Sequence, residues 1–192
     1  YGRWGVTNFF AADDTPNETD EKLSVIADAV DGLPFKPNIS AYSRLDIITA
    51  RPSQLELYQR IQFGSVFFGV ESFNDTASRL IRKKSHIGSV YNTLKTLRTI
   101  SPNTFMVGGL IIGLNGDSAQ HIRQSFDTVI SEGLLDSLQI YPLAITRSRA
   151  IQDDGFHSQL DLNPERFGYT IDRIDSNFRT SAVQNLHWIS DW

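Results

Sequence analysis

Ser65-Val66-Phe67-Phe68-Gly69-Val70 runs straight into Glu71-Ser72, and the reading of this stretch decides the fold. Its first six residues are β-branched, aromatic or small, and five of the six carry no polar side chain, which suits a short strand. A strand that is apolar throughout has no side to give to water. It belongs to a sheet covered by helices on both faces, or to one whose second face lines a barrel interior, and in either case its neighbours are parallel. Ligands of such sheets gather beyond the carboxyl ends of the strands, which is where Glu71 and Ser72 stand.

The same unit repeats outward in both directions. Val6 to Ala12 (VTNFFAA) is a strand that closes in the turn Asp13-Asp14-Thr15-Pro16-Asn17. Asn17 is placed to cap a helix with Glu18, Asp20 and Glu21 in its first turn, Leu23, Ile26, Ala27 and Val30 on one face, and Gly32 and Pro34 as its stop. Asn38 to Tyr42 reads as the second strand, and Ser53-Gln54-Leu55-Glu56 as a capping box opening a helix that Gly64 ends. Beyond Val70, Ile87, Val90, Leu94 and Leu97 share a helix face. Thr104 to Ile112 (TFMVGGLII) is the fourth strand, with Gly113 to Asp117 as its turn. Ile122, Phe126, Val129 and Ile130 mark a helix that Gly133 stops, and Ser137 to Leu143 (SLQIYPL) is the fifth strand. Pro164 opens a sixth helix with Phe167, Ile171, Ile174 and Phe178 on one side. The predicted fold is α/β, a partial (β/α) TIM-like barrel with parallel strands. About five βα units fill residues 1–150, against eight in a closed barrel, and a C-terminal helical extension follows over 151–192. A doubly wound open sheet gives the same alternation, and periodicity does not separate the two.

The bulk properties narrow the function. With 40% hydrophobic and 21% charged residues over 192 positions, the chain is long enough for a substantial core. A formal net charge of -4 supplies no overall attraction to nucleic acid or to an anionic membrane. The run Arg79, Arg82, Lys83, Lys84 reads as a solvated helix face. No apolar run is long enough to span a bilayer and the first residues show no signal-peptide pattern, so the cytoplasm is the expected compartment. Zero cysteines exclude disulfides and thiolate metal sites for this chain taken alone. Met106 is its one methionine, and Tyr1-Gly2-Arg3-Trp4 runs almost directly into a strand, the pattern expected of a piece of a longer protein.

Each strand ends in polar residues. Asp13 and Asp14 follow the first, Ser43, Arg44 and Asp46 the second, and Glu71, Ser72 and Asn74 the third. Gly113, Asn115, Gly116 and Asp117 follow the fourth, with Tyr141, Thr146 and Arg147 near the fifth. Turns and caps demand the same residue types, and Asp117 or Ser118 is placed to cap the next helix. Asp13, Arg44 and Glu71 stand out because none is placed to cap. Asp13 and Asp14 are adjacent, so on an extended chain at most one faces a site. His86, His121, His157 and His187 lack metal-ligand spacing and read as surface or structural residues. The glycines from Gly108 to Gly116 form no dinucleotide fingerprint, but glycine inside a strand implies the close approach of something flat, a neighbouring backbone or an adenine ring.

Taken in order, these segments resemble the radical S-adenosylmethionine (SAM) superfamily, most closely its cobalamin-binding-type and methylthiotransferase-like branch. Phe9-Phe10-Ala11-Ala12-Asp13-Asp14-Thr15 resembles the DD-containing ending of that branch's second strand, and Ser43-Arg44-Leu45-Asp46 the R-x-D ending of its third. Phe68-Gly69-Val70-Glu71-Ser72 resembles the G-[IV]-E-S motif, with Ile81-Arg82-Lys83-Lys84 at the place of a segment ending in lysine. Gly109 to Asp117 is similar to GxIxGxPGE, with Asn115 for Pro and Asp117 for Glu, and Tyr141-Pro142-Leu143 to the start of P-x-PGT, whose ending is here Ile145-Thr146-Arg147. The CxxxCxxC motif of the family has no counterpart in the chain.

The resemblance implies that the full-length protein uses SAM and a 4Fe-4S cluster to make a 5'-deoxyadenosyl radical, with cobalamin as a further cofactor in this branch. The cofactor is a small molecule, the substrate and reaction type are left open, and no catalytic residue is assigned. By position, Asp13 or Asp14 would lie near the methionyl amino group and Arg44 near its carboxylate. Glu71 and Ser72 would face the ribose or methionyl part, Gly109, Ile111 and Gly113 would flank the adenine, and Asp117 would close the same motif. Without cysteines this chain alone would hold no cluster and be inactive. The competing readings are a degenerate, cluster-free barrel that serves as a binding or scaffold module, and, further off, a metal-dependent barrel hydrolase built on Asp13, Glu71 and a histidine.

Overall fold

Five parallel strands lie side by side in the order in which the chain makes them: β1 (Asn8–Phe10), β2 (Asn38–Ser43), β3 (Ser65–Glu71), β4 (Phe105–Ile112) and β5 (Ser137–Pro142). The computed structural model describes residues 4–83, 86–114, 116–142, 144–146, 170–175 and 180–184. The strand order resolves what periodicity leaves open. A doubly wound sheet reverses direction at a switch point and carries helices on both faces. Here every crossover steps to the next position in the same sense, and because such crossovers share one hand, the helices collect on one face. That is barrel-like winding in a sheet that does not close.

The helices are α1 (Asp20–Asp31), α2 (Leu45–Ala50), α3 (Gln54–Ile61), α4 (Asp75–Leu80), α5 (Ile87–Ile100) and α6 (Ala119–Ser131). Strand alternation sends Val66, Phe68 and Val70 of β3 into a core with Leu23, Ile48, Ile61, Leu94 and Leu97. Phe67, Gly69 and Glu71 take the other face. On that face Phe10, Tyr42 and Phe67 form an edge-to-face row, with ring centroids 5.7 and 5.2 Å apart. Phe10 and Tyr42 remain 62% and 41% exposed, so among the described residues no helix covers the row. Nearer the amino ends of the strands, Asn38 donates to Asn8 at 2.8 Å and Ser65 to Ser40 at 2.7 Å.

Several local expectations change. Asn17 does not cap α1. Thr19 does, its hydroxyl accepting from the Lys22 N–H at 3.2 Å, while Asn17 is fully buried. Ser53 is already helical and makes no cap; its hydroxyl donates to Asp20 at 2.9 Å. The helix behind it ends at Ile61, where Gln62 takes the left-handed conformation two residues before Gly64. α2 is a single short helix, too brief to leave a periodic signal. Ser118 does cap α6, accepting from the His121 N–H.

A second, antiparallel sheet has the order β6 (Ala144–Thr146), β8 (Thr180–Gln184), β7 (Thr170–Asp175). Ile171 and Ile174, read above as one side of a sixth helix, therefore lie in a strand. The reason is a bulge: Ile171 pairs with Val183 and Ile174 with Ser181, so three steps along β7 match two along β8. That spacing copies the i, i+3 signature of a helix. Pro164, Phe167 and Phe178 lie outside the described residues. Among the described residues no helix is long and apolar enough to cross a membrane.

Candidate functional site

At the carboxyl end of β3 the chain turns abruptly. The Ser72 N–H donates to the Val70 carbonyl at 2.9 Å, which places Glu71 at the centre of a γ-turn with φ of +68°, and the pairing with β4 slips between Gly69 and Glu71. A side-chain-bearing residue held there costs on the order of 1–3 kcal/mol, and such strain collects at functional sites. Its carboxylate stands 3.7 Å from Lys83 Nζ.

Lys83 is largely buried. Its ammonium donates to the Gly69 carbonyl at 2.9 Å and to Asp46 Oδ1 at 3.4 Å. Asp46 in turn accepts from Arg44 Nε at 3.2 Å and Nη2 at 2.7 Å, a two-point pairing of the strong kind. Arg44, Asp46, Lys83 and Glu71 thus form one chain of charges across the ends of β2 and β3. Burial pushes the Glu71 carboxyl above its ordinary value, only partly countered by Lys83. Burial also acts to raise Asp46, but Arg44 and Lys83 outweigh it and hold that carboxyl below its ordinary value. β2 is pinned at its end: the Ser43 and Tyr58 hydroxyls meet at 2.5 Å, and burial of the Tyr58 phenol raises its pKa.

Beside this network lies a cavity of about 470 Å³, within the size range of small-molecule sites. Asp14, Arg44, Glu71 and Lys83 supply its charge, and Tyr42 and Phe67 its aromatic floor, with Ser43, Gly69 and Ile81 between them.

Asp14, Arg44 and Glu71, expected from the strand ends, therefore come together. Asp13 does not join them: it accepts from the Thr15 N–H at 2.8 Å and pairs with Lys22 at 3.5 Å. The Thr15 bond, more than Lys22, lowers its pKa. Ser72 donates to Asp117 at 2.7 Å, and both line a separate gap of about 10 Å³ with Ile111, at the lower limit for a single water. Gly113, at φ of +99°, forms the turn after β4. At Gly109 a Cβ would stand 2.6 Å from Phe67 Cζ, so the flat group pressed on that glycine is the Phe67 ring. His86 accepts from the Gly88 N–H at 3.1 Å and meets Asp75 at 2.9 Å, capping α5, and His121 Nδ1 lies 2.7 Å from the Asn74 amide nitrogen. Among the described residues no group of three or more His, Cys, Asp or Glu could hold a metal ion. Lys84, Asn115, Leu143, Arg147, His157 and His187 lie outside them.

The sequence reading misplaced Lys83 and passed over Tyr42 and Phe67. α4 ends at Leu80 and Arg82 turns left-handed at φ of +61°, so Lys83 leaves the expected helix face and folds back over β3. Tyr42 and Phe67 had a usable signal: each lies an even number of residues from Arg44 or Glu71 on its own strand, and so on the same face.

No family model matches the chain. Over 126 residues it is 30% identical to the hopanoid C-2 methylase of Rhodopseudomonas palustris (strain TIE-1), an alignment covering 60% of the chain and 24% of the methylase. Coproporphyrinogen III oxidase (HemN) from Escherichia coli, a radical SAM enzyme, superposes with a TM-score of 0.56 at 18% identity, over 92% of this chain and 43% of HemN. The cobalamin-dependent SAM radical enzyme OxsB, with aqua-cobalamin and SAM bound, superposes with a TM-score of 0.63 at 13% identity, over 94% of this chain and 32% of OxsB. The chain thus spans less than half the length of each of these proteins. The singly wound parallel sheet and these matches agree on the fold: the chain shares the fold of HemN and OxsB, and part of its sequence is similar to the hopanoid C-2 methylase.

Proposed function

We propose that this chain supplies the SAM-binding side of the barrel of a radical SAM enzyme, with the cavity at Asp14, Arg44 and Glu71 as the SAM site. The observation that carries the reading is the convergence of three strand ends on one cavity with a charged rim and an aromatic floor. SAM has matching parts: an ammonium for the carboxylates of Asp14 and Glu71, a carboxylate for Arg44 and Lys83, and flat and sugar portions for the aromatic side. Asp13, Ser72, Gly109, Ile111, Gly113 and Asp117 serve the site by shaping the strand ends that present it. In this reading residues 1–150 are the barrel portion and 151–192 an extension to it.

When bound in the complete enzyme, SAM is the source of a 5'-deoxyadenosyl radical. A 4Fe-4S cluster needs thiolates, and with zero cysteines the donor set of this chain does not fit one. The same fact favours, as a second reading, a cluster-free barrel that binds SAM without cleaving it. The likeness to OxsB, which holds aqua-cobalamin, supports cobalamin as a further cofactor. The row Phe10, Tyr42, Phe67 leads away from the cavity and suits a substrate with an apolar or flat body.

The test uses the complete natural protein that contains this sequence, purified without oxygen. Iron and sulfide content, SAM binding by calorimetry and release of 5'-deoxyadenosine are measured. Binding that Arg44→Ala reduces at least about tenfold, the loss of one charge-assisted pair, supports the site, and cleavage supports the enzyme. Binding without iron or cleavage favours the scaffold. Failure to bind SAM, or binding indifferent to Arg44 and Glu71, rules the cavity out.

A further inference from the structure

β1 and β2 stop pairing early. The last bond of their ladder runs from the Ala11 N–H to the Ser40 carbonyl at 2.9 Å, after which the first strand turns away through Asp13 and Thr15. The backbone of Arg44, four residues beyond Ser40 and just past the end of β2, is taken up by a side chain instead. Asn17 Oδ1 accepts from the Arg44 N–H at 2.9 Å, and Asn17 Nδ2 donates to the Arg44 carbonyl at 2.9 Å. The carboxamide thus binds both polar groups of one residue, as a neighbouring strand would. Asn17 has no exposed surface, and neither has Gln54, which accepts from Asn17 Nδ2 at 3.3 Å and donates to its carbonyl at 3.0 Å and to Asp20 at 2.9 Å.

We propose that Asn17, held by Gln54, is a positioning residue of the SAM site: it sets Arg44 over the cavity and ties it to the loop that carries Asp14. The proposal rests on the reading of the cavity given above. A buried carboxamide with both ends engaged has one low-energy orientation, since turning it over would put donor against donor. Asp14 lies three residues before Asn17, so one group fixes the spacing of two cavity walls.

The test is a double-mutant cycle on the complete protein, read as the dissociation constant for SAM. Asn17→Ala is expected to weaken binding by about tenfold when Arg44 is present and by less than about twofold in the Arg44→Ala background, because a residue that acts through Arg44 has nothing to position once Arg44 is gone. Equal loss in both backgrounds, or none in either, overturns the proposal while the cavity stands. No binding of SAM by the unaltered protein overturns the cavity reading and this proposal with it. If Asn17→Ala does not fold, hydrogen exchange on the unaltered protein decides: the Arg44 amide should exchange as slowly as those inside β2. Exchange as fast as that of the amides of the exposed residues 13 and 14 overturns the proposal.

Discussion

At the scale of single residues, Glu71 combines backbone strain with a carboxylate that burial makes harder to ionise. Glycine adopts a positive φ freely, so Glu71→Gly should raise the stability of the fold by about 1 kcal/mol while weakening SAM binding. Urea unfolding and calorimetry read the two effects separately, and a variant less stable than the parent would contradict the strain argument. The pH dependence follows from the two carboxyls beside Lys83. Asp46, held below its ordinary 3.8, contributes stability that is present above that value and lost as the pH falls through its folded pKa. Glu71, raised above its ordinary 4.5, does the opposite: the folded state favours its protonated form, and that contribution is lost as the pH rises through the folded pKa. The advantage of the parent over Asp46→Asn should therefore shrink on acidification below 3.8. Glu71→Gln should gain on the parent as the pH climbs past 4.5. Urea midpoints across an acid-to-neutral series test both, and parallel curves for all three proteins would refute the assignment. Arg44 and Glu71 were legible from sequence because a residue just past an apolar strand has few other places to go. Lys83 was not, since its location depends on a left-handed turn at Arg82, a residue with no special preference for one.

At the scale of elements, the contact between β3 and β4 is set by a glycine and an aromatic ring. A methyl group at Gly109 would sit 2.6 Å from Phe67 Cζ, well inside contact distance. Gly109→Ala should therefore cost about 1–3 kcal/mol, the usual penalty for overpacking. Phe67→Leu in the same chain should recover much of it, measured as a non-additive pair in urea unfolding. Full additivity would mean that the ring does not occupy that space. Strand boundaries could be read to within a few residues, because apolar runs between turn signals are a local property. Caps were less legible. Asn17, Thr19 and Ser53 all have the chemistry of an N-cap, and only Thr19 serves as one for its helix. Asn17 and Ser53 are drawn off by partners distant in sequence, Arg44 and Asp20.

At the scale of the whole molecule, the helices among the described residues are confined to one face and an aromatic row is left on the other. The chain of 192 residues has no thiol, so exposed to iron and sulfide under reducing, oxygen-free conditions it should form no cluster. Absorption spectra and acid-labile sulfide measure this, and a stoichiometric cluster would show that the donor set has been misjudged. On the proposed reading, SAM binding should survive in any protein that keeps residues 8–117 folded, since the cavity is built from the strand ends within that span.

The sequence by itself determined the strands and their parallel direction, their polar ends and the absence of cysteine. Each of these is written within a few residues, in two-fold or 3.6-fold periodicity, turn chemistry or composition. Only the tertiary structure decided which polar ends face one cavity. Asn17 reaches Arg44 across 27 positions, and Lys83 reaches Asp46 across 37. Such pairings are chosen by how packed helices bring the strand ends together, and a polar side chain carries no local mark of the partner that burial will require it to find.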